Sequence, residues 1–402
     1  MKSSRAAVHP GAIASLVALL FAAGCATKRP PGEPAELLAR RAAVDLEQLE
    51  IVRDHNEALL AAARREQQEH AAGRRAAPAA IDVLIISGGG DWGAFGAGFL
   101  RGWNGIPSDH PLAKPRFDIV TGVSTGALIA PFAFLGDDAS LQVIESLYRN
   151  PGKDWVLLRG PLYFMPTNIS FAKLPGLERE LRETVDLDLV TRIAQEGGDG
   201  RLLAVNTTNL DAAAPQGFDL VAEAELAVRT GSLDRLHSVM LASAGIPGAF
   251  PYREIDGQMF VDGGVTANII YGGRLGEEDS LPAIWQRLYP GEAIPTIRFW
   301  IIFNNKLRAT PTVVEPRWPA IVTRSLELST RSATITAIRH LHAMAEISRL
   351  KRGAEVEVRL VAIPDDWDPP VAGAFMRQTM NELADLGARL GADPGSWISE
   401  SP

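Results

Sequence analysis

Phe117-Asp118-Ile119-Val120-Thr121-Gly122-Val123-Ser124-Thr125-Gly126-Ala127-Leu128-Ile129-Ala130-Pro131-Phe132-Ala133-Phe134-Leu135 is the stretch on which the fold turns. Phe117 to Val120 reads as a short buried strand, and Ala127 to Leu135 as an apolar helix of mostly small residues. Ser124 therefore lies on a strand-to-helix turn. Such a turn strains the backbone of its central residue and needs room on both sides for strand and helix to approach. Gly122 and Gly126 supply that room. The helix that follows aims its N-terminus at the serine, where the dipole and free N–H groups favour developing negative charge. By itself, a Gly-x-Ser-x-Gly pattern is equally compatible with a structural turn.

Upstream, Ile81-Asp82-Val83-Leu84-Ile85-Ile86 has the apolar, β-branched character of a strand, Ser87-Gly88-Gly89-Gly90-Asp91-Trp92-Gly93 follows at once, and Ala94 begins a helical pattern. Consecutive glycines let several backbone N–H groups converge on one point, the geometry that stabilises the oxyanion of a tetrahedral acyl intermediate. The competing reading is a phosphate-binding loop. Against it, the run lacks the Lys-Ser/Thr ending of a Walker loop, and no acidic residue closes an evident second strand about 20 residues on.

Downstream, Asp256-Gly257 is a two-residue hairpin signal between short strands, which places Asp262 at a strand end before the turn Gly263-Gly264. Taken alone, this aspartate reads as a turn cap.

Together and in this order, the three elements resemble the patatin-like phospholipase family of serine acyl hydrolases. Val205-Asn206-Thr207-Thr208-Asn209-Leu210-Asp211 and the small-residue segment Ala242 to Pro251 are similar to family segments as well, so the resemblance covers residues 80 to about 270. It implies a three-layer α/β/α fold with a mainly parallel central sheet. It also implies a Ser-Asp dyad: Ser124 attacks an ester carbonyl, Asp262 takes its proton, and the N–H groups of Gly88, Gly89 and Gly90 hold the oxyanion. Gly93, Gly122, Gly126, Gly263 and Gly264 are the motif glycines. No cofactor is implied. An aspartate serving as base at neutral pH would need its pKa raised by a partly desolvated site. Two departures stand out: Trp92 occupies a loop position where many members carry Lys or Arg, and Asn268 lacks the proline that commonly follows it.

A Ser-Asp-His triad is the rival arrangement, with the histidine last in the chain. Only His340 and His342 follow Asp262, and they lie two residues apart within a helical pattern from Ala320 to Leu350, so they cannot share one face. Each reads as a helix-surface or core residue. No metal-ligand pattern occurs, and Cys25 is the single cysteine.

The N-terminus combines a basic Met1 to Arg5, a short apolar core from Ala12 to Ala23, and Gly24-Cys25. That is the make-up of a secretory signal, too short to span a bilayer comfortably. Ala22-Ala23-Gly24-Cys25 resembles a bacterial lipobox. The expectation is a signal peptide over residues 1–24, lipidation at Cys25, and an outer-membrane location facing the periplasm; plain cleavage to a soluble periplasmic protein is the alternative. Residues 25–80 then hold a Pro-rich tether and a helix from Ala35 to about His70. Its apolar positions Leu38, Ala42, Leu46, Leu49, Val52 and Leu59 suggest packing on the catalytic domain, with a spacer or partner-binding helix as the other reading. Arg64, Arg65, Arg74 and Arg75 read as solvated charges.

Residues 81–402 alternate strand and helix signals and are long enough for one large α/β core. A net charge of −8 argues against nucleic acid as a partner and gives no broad cationic attraction to anionic lipid, so membrane contact is expected from the anchor and local patches. The lipid or phospholipid ester substrate is what the resemblance implies. The expected activity is hydrolysis of (phospho)lipid carboxylic esters through an acyl-enzyme. An acyltransferase on the same fold, or a non-catalytic envelope lipoprotein using it as a scaffold, are the alternatives.

Overall fold

The strand that ends at Ser124 lies inside an eight-stranded mixed sheet in the computed structural model, which describes residues 29, 32–160, 168–272 and 276–402. In chain order, the first half comprises α1 (Pro34–Ala71), β1 (Ala80–Ile86), α2 (Gly93–Asn104), β2 (Ile119–Val123), α3 (Thr125–Leu135), α4 (Asp138–Arg149), α5 (Pro175–Thr184) and α6 (Leu187–Glu196). There follow β3 (Leu202–Asn209), β4 (Ala214–Asp219), α7 (Leu220–Thr230), α8 (Asp234–Ser243), β5 (Arg253–Ile255) and β6 (Gln258–Asp262). The last part holds α9 (Leu281–Leu288), β7 (Thr296–Lys306), α10 (Trp318–Arg352), β8 (Val356–Ile363) and α11 (Arg377–Gly391).

The sheet order is β8-β7-β1-β2-β3-β6-β5, with β4 paired to the other edge of β3. From β8 to β3 every pairing is parallel, whereas β4, β5 and β6 pair antiparallel. Parallel strands are covered on both faces, which is why β1 and the middle of β7, Phe299 to Phe303, are almost continuously apolar. Side-chain alternation then divides the core in two. Leu84 and Ile86 face one cluster with α2, α3, α8 and α11, while Ile81, Val83 and Ile85 face a second with α1, α9 and α10. Helices thus cover both faces of the sheet, the three-layer α/β/α arrangement with a mainly parallel sheet that the resemblance implied.

Boundaries shift by a few residues: the strand read at Phe117 to Val120 is Ile119–Val123, and its helix begins at Thr125. The hairpin forms at Asp256 and Gly257, with φ of 51° and 72°, and pairs Ile255 with Gln258.

The N-terminal helix packs against the catalytic part, though of the stripe expected only Leu59 is buried. Leu38, Leu46 and Leu49 are exposed; the buried residues are Val44, Leu59, Leu60 and Ala63. The helix is held instead by polar contacts to loop and strand edges. Gln48 exchanges two hydrogen bonds with the Gly217 backbone, and His55 Nε2 lies 2.8 Å from Asp219 Oδ2. Arg64 is no solvated charge either, since it pairs with Glu292 and its guanidinium sits 4.5 Å from the centre of the Tyr289 ring. Residues 1–24 and Cys25 lie outside the described residues, and no described helix is long and apolar enough to cross a membrane.

Candidate active site

Ser124 has φ 55° and ψ −123°, a conformation that a side chain rarely tolerates. Strand, turn and helix hold it there. A Cβ on Gly126 would collide with the Ile86 and Ser87 backbone, and one on Gly122 with the backbone of Gly126 and Ala127, so both positions must be bare for α3 to fold back over β1 and β2. The strained turn is pinned from below: Ser124 N–H donates to Ser243 Oγ at 3.0 Å, and Ser243 Oγ donates to Asn206 O at 2.6 Å. Ser243 sits within the small-residue segment read from the sequence, but nothing in the sequence marks it as the turn's support.

Asp262 arrives by an exact consequence of strand register. β2 runs parallel along one edge of β3 as far as the pair Val123 and Asn206. β6 approaches antiparallel, and its last residue, Asp262, pairs with Thr207. Since β4 occupies the opposite edge at both Asn206 and Thr207, β2 and β6 share an edge and meet end to end. The residue leaving β2 and the residue ending β6 are thereby brought face to face. Asn206 Nδ2 donates to Gly263 O and Ala267 O, which fixes the turn beyond the aspartate.

The Asp262 carboxylate is buried, and that burial raises its pKa to about 6; the neighbouring Ser124 hydroxyl and the Gly264 N–H pull in the other direction. Oδ1 accepts from Gly264 N–H at 2.8 Å. Oδ2 has no hydrogen-bond partner, so the Ser124 hydroxyl stands beside it without closing a bond, a looseness common in sites without substrate. The pair is a buried hydroxyl next to a carboxylate poised to accept a proton near neutrality.

The glycine loop comes over this pair from β1. Asn304 braces it: its N–H donates to Ser87 Oγ and its Nδ2 to Ser87 O, both at 2.9 Å, and a Cβ on Gly89 would strike Asn304. Gly90 takes φ 61°. The three expected donors are not equivalent. Gly88 N–H donates to Asn268 Oδ1 at 3.0 Å, as a buried N–H with an acceptor in reach will do, while the N–H groups of Gly89 and Gly90 have no partner among the described residues. Asn268 is in turn held by Thr334 at 3.1 Å. Gly93, also a predicted motif glycine, lets α2 pass close to Thr125, and Thr125 Oγ1 is bonded to the Tyr148 hydroxyl. Trp92, at the position of the departure, packs edge-on against Trp367 with ring centres 5.4 Å apart.

Among the described residues no histidine joins the pair. His237 Nε2 contacts Val185 O at 2.7 Å, His340 Nδ1 contacts the Tyr271 hydroxyl at 3.0 Å, and burial lowers the pKa of His237 and His342. Among the described residues there is no cluster of three or more His, Cys, Asp or Glu that could hold a metal.

The model of the family described as patatin-like phospholipase matches residues 84–272, the span from β1 through the turn after Asp262. No curated protein sequence matches. Among solved structures, VipD from Legionella pneumophila is similar at 12% identity and a TM-score of 0.33, covering 78% of this chain and 67% of that one, a likeness too distant to carry an argument.

Proposed function

We propose, from the match of residues 84–272 to the patatin-like phospholipase family, that the protein hydrolyses carboxylic esters of phospholipids through Ser124 and Asp262. The observation that carries the proposal is the abutment of β2 and β6, which sets a strained, buried serine against a carboxylate with an unpartnered oxygen and a pKa of about 6. Ser124 Oγ attacks the ester carbonyl carbon while its proton passes to Asp262. The oxyanion forms against the N–H groups of Gly89 and Gly90 and the start of α3. One such donor contributes about 3 kcal/mol to the transition state. Collapse expels the alcohol, which takes the proton from Asp262 and leaves an acyl-Ser124. Water then attacks this ester with Asp262 again as base, releasing the fatty acid and restoring the serine. Gly88, whose N–H is engaged by Asn268, fixes the loop.

Fluorophosphonate labelling of the purified protein, followed by analysis of lipids released from phospholipid vesicles, tests the proposal. The expected result is one labelled serine per chain, with free fatty acid and lysophospholipid as products. Intact vesicles after prolonged incubation with labelling-competent protein would overturn the lipid assignment.

The site works at a membrane if Cys25 carries the lipid that its lipobox-like context suggests. Cys25→Ser is then expected to abolish incorporation of a fatty-acid probe and move the protein from the outer-membrane to the soluble periplasmic fraction. Turnover of a soluble short-chain ester should stay within twofold, and turnover of membrane phospholipid should fall about tenfold or more as the local substrate concentration is lost. Unchanged fractionation of the variant would exclude the anchor.

A further inference from the structure

A cavity of about 570 Å³ lies on the face of the sheet covered by α1 and α10, beneath the catalytic rim. Neither Ser124 nor Asp262 nor a glycine of the loop lines it, whereas Ala267 and Asn268 do, the latter being the asparagine that also holds Gly88 N–H. Protein interiors are close-packed, so an apolar space of this size is built by the elements around it.

Those elements give it a shape. Along α10 the lining residues run from Ala333 to Ser348 at helical spacing, and along α1 from Arg41 to Asn56. Each stretch spans roughly 22 Å at 1.5 Å per residue. The space is therefore an elongated channel between two helices and the sheet, with Ala333, Ala337 and Ala345 making room on one wall. The opposite wall explains the missing burial in α1. The helix is buried at Val44 and again from Leu59 to Ala63, but at no residue in between. Over that gap Leu49, Ile51 and Val52 line the channel, and the helix is secured at its rims by Gln48 to Gly217, His55 to Asp219 and Arg64 to Glu292. An apolar helix face strapped across a void by polar contacts at its edges is a wall for a ligand.

We propose that this channel is a second lipid site, which takes one long acyl chain without reacting with it. Length and narrowness fit a linear chain better than a fused-ring lipid, and an apolar pocket of several hundred Å³ is of ligand-binding size. The chain is carried either by a free fatty acid or by a lysophospholipid, the two single-chain lipids that the proposed hydrolysis would release. The assignment goes beyond that reaction and does not require it.

The experiment is equilibrium binding of radiolabelled oleate and of lysophosphatidylcholine to the purified full chain, before and after the reactive serine is blocked, by fluorophosphonate or by Ser124→Ala. Saturable binding of one molecule per chain that survives the block is expected; the better-retained probe identifies the head group. Ala337→Trp, which fills the channel, and Leu49→Asp, which charges the wall from an exposed position, should each weaken binding at least tenfold. Melting temperature and turnover of a soluble short ester should be little changed. The absence of saturable binding for both probes would overturn the proposal. So would loss of binding on blocking the serine, which would place the chain in the catalytic cleft, or unaltered binding in both folded variants.

Discussion

Ser124→Ala should remove fluorophosphonate labelling and lower ester turnover by about a thousandfold or more, the scale seen when a serine nucleophile is deleted and only oxyanion donors and binding remain. The size of the loss follows from the geometry. Ser124 is the residue at which β2, the start of α3 and the abutting end of β6 converge, so no other hydroxyl can take over its attack line. Ser243 is the nearest challenger in sequence type, yet its Oγ already accepts from Ser124 N–H and donates to Asn206 O. The variant should fold. Alanine removes only one hydroxyl, and the φ of 55° persists because glycines and the Ser243 hydrogen bond impose it. Circular dichroism and thermal unfolding check this directly. A folded Ser124→Ala protein that turned over ester at more than a few per cent of the parent rate would remove the nucleophile assignment.

Much of this site was legible because backbone geometry dictates residue type. Gly122, Gly126, Gly93 and the hairpin Asp256-Gly257 each occupy a place where a Cβ or an ordinary φ is excluded, and such places leave a mark in a sequence. What escaped was set by long-range contact. Asn304 braces the oxyanion loop from β7, more than 200 residues away in the chain, and an isolated asparagine at a strand end carries no periodicity to flag it. The misread face of α1 has a similar origin. Its hydrophobic spacing was real, but the helix bridges a channel, so its contacts are polar at the rims and apolar residues face open space. The stabilising partners Gly217, Asp219 and Glu292 lie in strands and loops that a helical wheel cannot see.

Asp262→Asn should be nearly as damaging as the serine change, and it separates a catalytic base from a turn cap by moving activity and stability in opposite directions. Asparagine keeps an oxygen for the Gly264 N–H, so a purely structural aspartate would be replaced at little loss of rate; a base would not, and a thousandfold fall is expected. His237→Ala, His340→Ala and His342→Ala should each retain most activity if folded, since none contacts the pair. The pH profile of the parent enzyme carries the same signature. With the Asp262 pKa at about 6, kcat/KM should rise through that pH to a plateau above 7 as the carboxylate ionises, and residual turnover in the Asn variant should lack this limb. Stability runs the other way. A carboxyl whose pKa is higher in the folded state than its ordinary 3.8 holds its proton more tightly there, so its contribution is present below pH 4 and is lost as pH rises towards 6. At pH 7.5 the buried carboxylate therefore costs the fold on the order of 1–3 kcal/mol. Removing that charge should raise the melting temperature of Asp262→Asn at pH 7.5, with the difference from the parent shrinking at pH 4. A folded variant that kept most of its rate would instead describe an aspartate that only caps the turn through Gly264 N–H, and the search for the proton acceptor would have to begin again from Ser124.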